Sequence, residues 1–427
     1  MPASVSSPLS QQTLSLDHHS FANTLATTKN LLIVQDLDGV CMDLVNDPLT
    51  RRIAPGYVQA SQGFGDHFYV LTNGEHIGRR GVNRIVERAF KQALDLDPAE
   101  LQTANSYLPG LAAGGVQWQD RDGQGSHPGV SEAELAFLKA VPQQMEACLR
   151  DFFESHGCPP KIAAQLDAYI AASILDNIAS PTVNLNSLYP GFEGDNEAFV
   201  ALQAAMRSHL ESLLHKSIEQ GLQDSFFIHY APNLGRDADG KERVWFGSGQ
   251  DSGTTDFQFM LRGAIKEAGV LALLNRYYFK RTGTYPLGED FSARQAPHAL
   301  EALVELAESA FDSVQMPLIV GVGDTVTSQP QADGVKRGGS DRNFLQLIQS
   351  LNAVFNTGNL TVYVDSSGGE LKNRQPLQLA EENGVKRVVK GPGDADDPLR
   401  LNVAFPGGHE QYAQVFMAAA QARSQAV

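Results

Sequence analysis

Two carboxylates, Asp36 and Asp38, follow an apolar run at residues 31–34. Four successive apolar residues predict a strand buried on both faces, and open α/β sheets bind their ligands at the carboxyl ends of such strands. Side chains at positions i and i+2 of a strand point to the same side, so both carboxylates can face one reacting group. Such a pair suits phosphoryl chemistry.

The sequence Asp-Leu-Asp-Gly-Val at residues 36–40 resembles motif one of the haloacid-dehalogenase-like (HAD) phosphatases, and later motifs of that superfamily follow in order. The resemblance implies that Asp36 is the nucleophile, which becomes an aspartyl phosphate, and that Asp38 is the general acid and base. Without the later motifs, a solvated acidic turn at the end of a strand would explain the same residues equally well.

A second predicted strand, residues 67–71, ends at Thr72, which resembles motif two of the same superfamily. In that motif a hydroxyl group holds a phosphate oxygen, and the backbone N–H groups beyond it complete an anion cradle. The candidate phosphate-binding residues are therefore Thr72, Asn73, Gly74 and Glu75. The alternative is an ordinary turn, which Thr-Asn-Gly after a strand more often forms.

A third predicted strand, residues 317–322, leads to Asp324, which resembles an acid of motif four. The resemblance implies a Mg²⁺ site that includes Asp36, the backbone carbonyl of Asp38 and Asp324, and hard divalent cations prefer such oxygen ligands. Two nearby glycines do not indicate a dinucleotide-binding loop, because position 326 is valine where the third glycine would stand.

The second acid of motif four is displaced in this chain. HAD proteins commonly carry it four or five residues after the first, but residues 325–329 contain no acid. The pattern resumes at residues 338–345, where Asp341 resembles the missing metal ligand. Alternatively, Asp341 only caps the helix that follows, since an Asp before an apolar-periodic run is typical of a helix start. Asp333 is a weaker candidate on the intervening loop.

Motif three, a Lys or Arg that neutralises the aspartyl phosphate, is the least defined motif. It should precede the helix that leads into the Asp324 strand, which makes Arg294 and Lys280 the candidates, with Lys266 further back. Most Lys and Arg side chains lie on the surface without a specific role, so the sequence alone does not select one of the three.

The composition excludes several classes of partner. A formal net charge of -16 and a pI of about 5.1 argue against nucleic-acid and anionic-membrane partners. Three cysteines without metal-ligand spacing indicate a reduced, cytoplasmic setting, and we expect Cys41 to be a buried filler rather than a nucleophile. No membrane span or secretory leader is recognisable, and the oligomeric state stays open.

A length of 427 residues predicts more than one domain. The class is α/β, because strands alternating with helices after residue 30 predict a doubly wound parallel sheet, the HAD-like core. Long helices followed by short strands predict an inserted α+β cap. The predicted segments are a flexible tail at 1–29, the first part of the core at 30–125, the cap at 126–252 and the second part of the core at 253–427.

Several element predictions bear on these boundaries. Residues 161–178 and 255–281 are each predicted to form one helix, and residues 243–246 a strand of the cap. Trp245 and the polar run 251–256 are candidates for contacts with sugar hydroxyl groups, although a packed aromatic and a helix cap explain them equally well.

Four segments extend the resemblance to a particular family. They are similar to the glucosylglycerol-3-phosphate phosphatases, which release phosphate from a sugar phosphate in the last step of making a compatible solute under salt stress. The alternatives are another HAD sugar phosphatase, such as a sucrose-phosphate phosphatase, and a non-catalytic sugar-phosphate sensor of the same fold. The four segments are residues 35–45, 71–76, 321–328 and 337–342.

Overall fold

The computed structural model describes residues 7–45, 48–231, 242–249, 251–263, 265–331, 334–371, 374–382 and 384–426. The strands are β1 Leu31–Gln35, β2 Phe68–Leu71, β3 Gly110–Ala112, β4 Gln117–Gln119, β5 Gly125–Ser126, β6 Ile174–Leu175, β7 Thr182–Asn184, β8 Phe226–Ala231, β9 Asp256–Leu261, β10 Leu318–Gly323, β11 Thr327–Gln331, β12 Gly334–Gly338, β13 Leu360–Val364, β14 Gln378–Glu382, β15 Val385–Lys390 and β16 Val403–Phe405. The α-helices are α1 His18–Thr27, α2 Pro55–Gly63, α3 Val82–Leu94, α4 Pro98–Thr103, α5 Glu132–His156, α6 Pro160–Ala163, α7 Leu166–Ser173, α8 Asn196–Glu219, α9 Lys266–Thr282, α10 Leu300–Ala310, α11 Arg342–Phe355 and α12 Gly408–Ala426.

The chain forms two compact units. The first contains Met1–Ile77, Gly81–Gly129 and Ile265–Val427, and the second contains Gly78–Arg80 and Val130–Ala264. Among the described residues, no helix combines the length and apolar character that crossing a bilayer requires.

An eight-stranded sheet organises the first unit, with the strand order β16-β13-β10-β1-β2-β3-β4-β5. The strands from β16 to β3 are parallel, and β4 and β5 extend the edge in antiparallel pairing. In β1, Gln35 is in register with Val322 of β10 and with Val70 of β2. The three strands therefore end side by side, which brings the residues that follow them to one edge of the sheet.

Helices cover both faces of this sheet, as in a doubly wound α/β fold. Leu31 and Ile33 of β1 belong to a buried cluster that also contains side chains of α1, α2, α3 and α12. Leu32 and Val34 belong to a second cluster, with side chains of α9, α10 and α11. The alternation of β1 side chains between the two clusters explains why its first four residues are all apolar. The predicted fold class of the core is confirmed.

The second unit is an α+β structure. Its sheet is antiparallel, with the order β6-β7-β9-β8. Helix α5 begins at a capping box, in which Ser131 and Glu134 bond reciprocally, and its Phe137 stacks on Phe226 and Phe259 at 5.2 and 5.8 Å between ring centroids.

The structure corrects several element predictions. The predicted helix at 255–281 contains β9, in which Phe257, Phe259 and Leu261 are buried and alternate with partly exposed residues, so its period is that of a strand. Because β9 pairs with β8, the second unit continues to Ala264 rather than to residue 252. Residues 243–246 form no strand, and the predicted helix at 161–178 is divided between α6, α7 and β6.

Part of the predicted N-terminal tail is ordered. Asp17 caps α1 by accepting a hydrogen bond from the backbone N–H of Ser20, and Phe21 and Leu25 of this helix are fully buried. The tail prediction followed the polar composition and missed this amphipathic stretch, whose apolar residues recur four positions apart.

Candidate active site

The carboxyl ends of β1 and β10 bring three acids together. Asp36 follows β1, Asp324 follows β10, and Asp341 immediately precedes α11. All three are buried, and each offers a carboxylate oxygen within 4.8 Å of the others. The backbone N–H of Asp36 donates to the carbonyl of Val322 at 3.0 Å, which continues the β1–β10 pairing into the site. The predicted meeting of Asp36 with the motif-four acids is therefore present in the structure.

Lys266 supplies the positive charge in this cluster. Its side chain is almost fully buried, and its Nζ donates to Asp36 Oδ2 at 2.6 Å and to Asp341 Oδ1 at 2.7 Å. Burial alone would lower the pKa of Lys266, but the two carboxylates outweigh it and raise the pKa above its usual value, so the ammonium group stays charged.

The two cations that the sequence favoured lie elsewhere. Lys280 is exposed in the last turn of α9, roughly 21 Å along the helix axis from Lys266 at its start. Arg294 donates to the backbone carbonyl of Gly129 at 2.8 Å. The structure therefore corrects the choice of Arg294 and Lys280, because the cation that contacts Asp36 is Lys266. A Lys in a first helical turn opposes the helix dipole, so the position of Lys266 needs another reason once the start of α9 is known.

The side chain of Asp341 does not cap the helix that follows. It makes no capping hydrogen bond to α11, and its Oδ2 instead accepts from the backbone N–H groups of Asp324 and Thr325 at 2.9 and 3.0 Å. Burial opposes ionisation, but Lys266 and these two N–H groups together lower the pKa of Asp341 below its usual range. A buried, ionised Asp341 is therefore tied to both Asp324 and Lys266. The other candidate, Asp333, lies outside the described residues.

Asp324 presents an unused carboxylate oxygen. Its Oδ1 accepts from the hydroxyl group of Thr325 at 2.8 Å, whereas its Oδ2 is buried without a hydrogen-bond partner. Burial, with the neighbouring Asp341 and Asp36 charges, raises the pKa of Asp324 well above its usual range. Gly39 has φ +76°, and a Cβ there would stand 2.3 Å from Asp324 Oδ2, so glycine leaves the space beside this oxygen free of protein atoms that a side chain would place there. A hard cation would satisfy an orphaned oxygen among carboxylates.

Asp36 and Asp38 have different surroundings. Asp36 Oδ1 accepts from the backbone N–H of Leu37 at 2.8 Å, and burial raises the pKa of Asp36 to about 7 despite the opposing attraction of Lys266. Asp38 is partly exposed and forms an ion pair with Arg51, 2.9 Å from Nε to Oδ1. Burial raises the pKa of Asp38 as well, against the effect of Arg51. An acid that holds its proton more tightly than usual is suited to proton donation.

The candidate phosphate cradle lies beside Asp38. Thr72 follows β2, and its Oγ1 accepts from the backbone N–H of Gly74 at 3.2 Å. A Cβ at Gly74 would stand 4.0 Å from Asp38 Oδ2 and 3.8 Å from Arg51 Nη1. Asn73 is exposed, and Glu75 is buried with its carbonyl accepting from the backbone N–H of Val82 at 2.8 Å.

Two arginines at the site were not predicted. Arg51 pairs with Asp38, and Arg374 donates from Nη2 to the hydroxyl group of Thr325 at 3.1 Å. Neither lies in a segment with helical or strand periodicity, so nothing in the local sequence distinguishes them from surface arginines. Cys41 is buried beside the site, and burial together with the Asp38 charge raises the pKa of its thiol well above the usual range, as expected for a filler rather than a nucleophile.

The proposed sugar-contact segment of the second unit is organised by Gln203. The buried amide of Gln203 donates to the carbonyls of Ser252 and Thr254 at 2.9 and 2.8 Å and accepts from the N–H of Gly247 at 2.8 Å. Thr254 is fully buried, so this part of the 251–256 run has an internal role. Trp245 is 44% exposed and is therefore not a packed core aromatic.

Comparisons with known proteins identify the family of this chain. The sequence model of the family described as "Glucosylglycerol-phosphate phosphatase" matches residues 30–420. The glucosylglycerol-phosphate phosphatase of Synechocystis sp. is 58% identical over 422 residues, covering 97% of this chain and 98% of the relative.

Two solved structures are also similar. The trehalose-6-phosphate phosphatase of Aspergillus fumigatus aligns with 9% identity and a TM-score of 0.39, over 96% of this chain and 99% of that chain. The C-terminal domain of the C. albicans trehalose-6-phosphate phosphatase aligns with 8% identity and a TM-score of 0.42, over 96% and 98% of the two chains. From the match over residues 30–420 and the 58% identity over nearly its full length, the chain belongs to the glucosylglycerol-phosphate phosphatase family.

Proposed function

We propose that this protein is a magnesium-dependent phosphoric monoester hydrolase that converts glucosylglycerol 3-phosphate into glucosylglycerol and phosphate. The observation that carries the reaction type is a buried Asp36 bonded to Lys266 at 2.6 Å, beside two further acids. The named substrate rests on the family and on the 58% identical relative. In this role the product is a compatible solute made under salt stress.

The reaction proceeds through an aspartyl phosphate on Asp36. A carboxylate oxygen of Asp36 attacks phosphorus, the bond to the glucosylglycerol oxygen breaks, and Asp38 protonates that oxygen. Asp38 then accepts a proton from the water that attacks the aspartyl phosphate, which releases phosphate and restores Asp36. The raised pKa of Asp38 supports its role as the proton donor, and Arg51 orients its carboxylate. Lys266 lies where it can balance negative charge on the Asp36 side of the reacting group.

The described residues fit a hard divalent cation. We assign the site to the unpartnered Oδ2 of Asp324, to Asp36 and the Asp38 carbonyl, and to Asp341 as the third carboxylate of the cluster. Both oxygens of Asp341 also accept hydrogen bonds, so Asp341 holds Lys266 and the Asp324 backbone in place as well. When bound, Mg²⁺ supplies positive charge that offsets the clustered carboxylates and favours the ionised form of Asp36.

The substrate assignment has two rivals, and one comparison separates them. The measurement is phosphate release from glucosylglycerol 3-phosphate, sucrose 6-phosphate and glycerol 3-phosphate at one Mg²⁺ concentration. We expect the highest kcat/KM for glucosylglycerol 3-phosphate, since a site that bonds sugar hydroxyl groups rejects substrates without them. A higher kcat/KM for sucrose 6-phosphate would show that sucrose 6-phosphate is the substrate. A kcat/KM for glycerol 3-phosphate equal to that for glucosylglycerol 3-phosphate would show that the enzyme does not recognise the sugar.

The covalent mechanism is tested by Asp36→Asn. The carboxamide is nearly isosteric but a poor nucleophile, so we expect turnover to fall by several orders of magnitude while the fold is retained. Near wild-type phosphate release from a folded Asp36→Asn protein would exclude the mechanism, and inactivity of the wild type towards all three substrates would favour the sensor alternative.

We also propose a cytoplasmic location and a small-molecule sugar phosphate as the ligand. The support is the acidic composition together with Cys41, Cys148 and Cys158, all of which are free thiols in the structure. Fractionation of cells that produce a tagged chain would test the location, and recovery from the periplasm would contradict it.

A further inference from the structure

A hairpin separates the two motif-four acids. Asp341 stands 17 positions after Asp324, and β11 and β12 occupy most of the segment between them. The base of the hairpin is closed tightly, since Asp341 N–H donates to the Thr325 carbonyl at 3.1 Å, and a Cβ at Gly339 would stand 2.1 Å from that oxygen. An intervening segment of this length fixes the second acid less firmly than a short turn, because longer loops have more conformations to restrict.

An ion pair anchors the residue that directly follows Asp341. Arg342 forms a bidentate pair with Asp397, in which Nη1 donates to Oδ2 at 2.9 Å and Nη2 donates to Oδ1. The two side chains are only 7% and 5% exposed. Asp397 Oδ1 also accepts from the backbone N–H of Leu399 at 2.9 Å, so the carboxylate is held by its own loop. A bidentate Arg–carboxylate pair fixes orientation as well as distance.

The position of Arg342 is unfavourable for the helix itself. It is the first residue of α11, and the first turn contains no acidic residue. A cation at a helix N-terminus opposes the helix dipole, and a buried guanidinium group needs a carboxylate partner. Arg342 is therefore explained by its pairing with Asp397 and not by any benefit to α11.

The same loop holds the hairpin through a second pair. We call residues 391–397 the acidic loop; it carries Asp394, Asp396 and Asp397. Arg337 of β12 donates to both oxygens of Asp394 at 2.8 Å, and these side chains are 31% and 21% exposed. The Arg337–Asp394 pair thus contacts the hairpin strand from a more solvated position. The more buried Arg342–Asp397 pair holds the residue next to Asp341.

We propose that Asp397 is a positioning residue that fixes Arg342 and thereby Asp341, and so sets the affinity of the divalent-cation site. This inference rests on the proposed metal site but not on the named substrate. Among the described residues, Asp397 makes no hydrogen bond to Asp36 or Asp324. Its carboxylate pairs with Arg342, which adjoins Asp341 in the chain, and its Oδ2 also accepts from the hydroxyl group of Ser328 in β11 at 3.3 Å. Its effect on Asp341 therefore passes through Arg342 and through the base of the hairpin. Residues that orient metal ligands commonly change metal affinity by about 10- to 100-fold when altered.

The test compares Asp397→Asn with Asp394→Asn in the full-length chain after removal of metal by a chelator. Mn²⁺ serves as the probe, and its dissociation constant is measured from the electron paramagnetic resonance signal of free Mn²⁺. We expect Asp397→Asn to raise this constant about tenfold. We expect Asp394→Asn, the matched control in the same loop, to change it less than about twofold, because its partner Arg337 is more solvated and, unlike Arg342, is not adjacent to Asp341 in the chain.

Activity provides a second readout. With Asp397→Asn, the Mg²⁺ concentration for half-maximal phosphate release should rise by the same factor, while kcat at saturating Mg²⁺ should return to near the wild-type value. A lower unfolding temperature with an unchanged Mn²⁺ dissociation constant would overturn the proposal, because this result is expected if the Arg342–Asp397 pair only stabilises the fold. An equal increase in both variants would also overturn the assignment to Asp397.

A third variant covers the case in which Asp397→Asn does not fold. Arg342→Lys keeps the charge but loses the bidentate geometry, and an unchanged Mn²⁺ constant in this variant would equally refute the proposal. The proposed function and the positioning role of Asp397 can fail independently. If the wild-type protein hydrolyses none of the sugar phosphates but Asp397→Asn raises the Mn²⁺ dissociation constant tenfold, the positioning role is supported and the proposed function is refuted.

Discussion

Replacement of Lys266 by Met tests the electrostatic centre of the site. Met is similar in length but has no charge, so Lys266→Met leaves Asp36 and Asp341 as two buried carboxylates without their shared cation. At an effective dielectric constant of about 20, each pair at 2.6 and 2.7 Å has a gross attraction of about 6 kcal/mol. Desolvation of the ammonium group offsets most of this sum, and breaking a buried pair typically destabilises a protein by about 3–5 kcal/mol.

The loss of stability should depend on pH. Asp36 already has a pKa of about 7 with Lys266 present, and removal of the cation raises it further. In Lys266→Met at pH 6, a proton on Asp36 relieves the repulsion between Asp36 and Asp341. At pH 8 the unfolded chain has lost this proton, so keeping it on Asp36 costs the folded state more free energy than at pH 6. We therefore expect a larger destabilisation at pH 8 than at pH 6 in metal-free protein, measured by urea unfolding.

Lys266→Met should also lower turnover, for a reason separate from its effect on stability. Loss of a preorganised charge at a reacting group typically lowers kcat by about 10²- to 10³-fold, measured as phosphate release at saturating Mg²⁺. Lys280→Met is the matched control, since it makes the same substitution at the exposed end of the same helix and should change stability by less than about 0.5 kcal/mol. The reasoning fails if Lys266→Met keeps more than about a tenth of wild-type kcat, or if Lys280→Met loses as much.

Three further predictions concern the acids. Asp341→Asn should raise the Mg²⁺ concentration for half-activity at least about tenfold, although Asn is itself a good N-cap, and an unchanged Mg²⁺ titration would leave Asp341 with no role at the metal. Gly39→Ala should abolish Mn²⁺ binding because its Cβ would stand 2.3 Å from Asp324 Oδ2, and retained binding would show that this oxygen is not a ligand. Burial raises the pKa of Asp36 from 3.8 to about 7, so the free energy of unfolding of the metal-free protein should decrease as pH rises between these values. Asp36→Asn should make this decrease with pH smaller. An identical pH dependence in the variant would contradict the raised pKa of Asp36.

The strand-end residues of the site were predictable from the sequence. Asp36, Thr72 and Asp324 each follow a short apolar run, and parallel strands end at one edge of a sheet. Burial on both faces makes these runs apolar at nearly every position, so they stand out without any knowledge of tertiary structure.

The cation was not predictable in the same way. Its identity depends on where α9 begins, and the predicted helix at 255–281 includes β9 because a short apolar run fits either element. The placement of Asp341 depends on β11–β12, a hairpin whose described residues are mostly exposed and carry little apolar pattern. Lys266 and Arg342 share one feature, a basic first helical residue, and each is held by a distant carboxylate.

The central position of β1 has a consequence for how the chain acquires its fold during synthesis. Leu31 of β1 pairs with Leu318 of β10, so one neighbour of β1 is made roughly 290 residues later, or about 15–60 s at 5–20 residues per second. Throughout that interval one edge of a largely apolar strand has no partner, and such edges promote aggregation. Lys266, the hydrogen-bond partner of Asp36, also lies 230 positions later in the chain and is synthesised correspondingly later. We therefore expect the nascent chain to be prone to aggregation at β1 until β10 has emerged, and contacts this distant in sequence also make refolding slow.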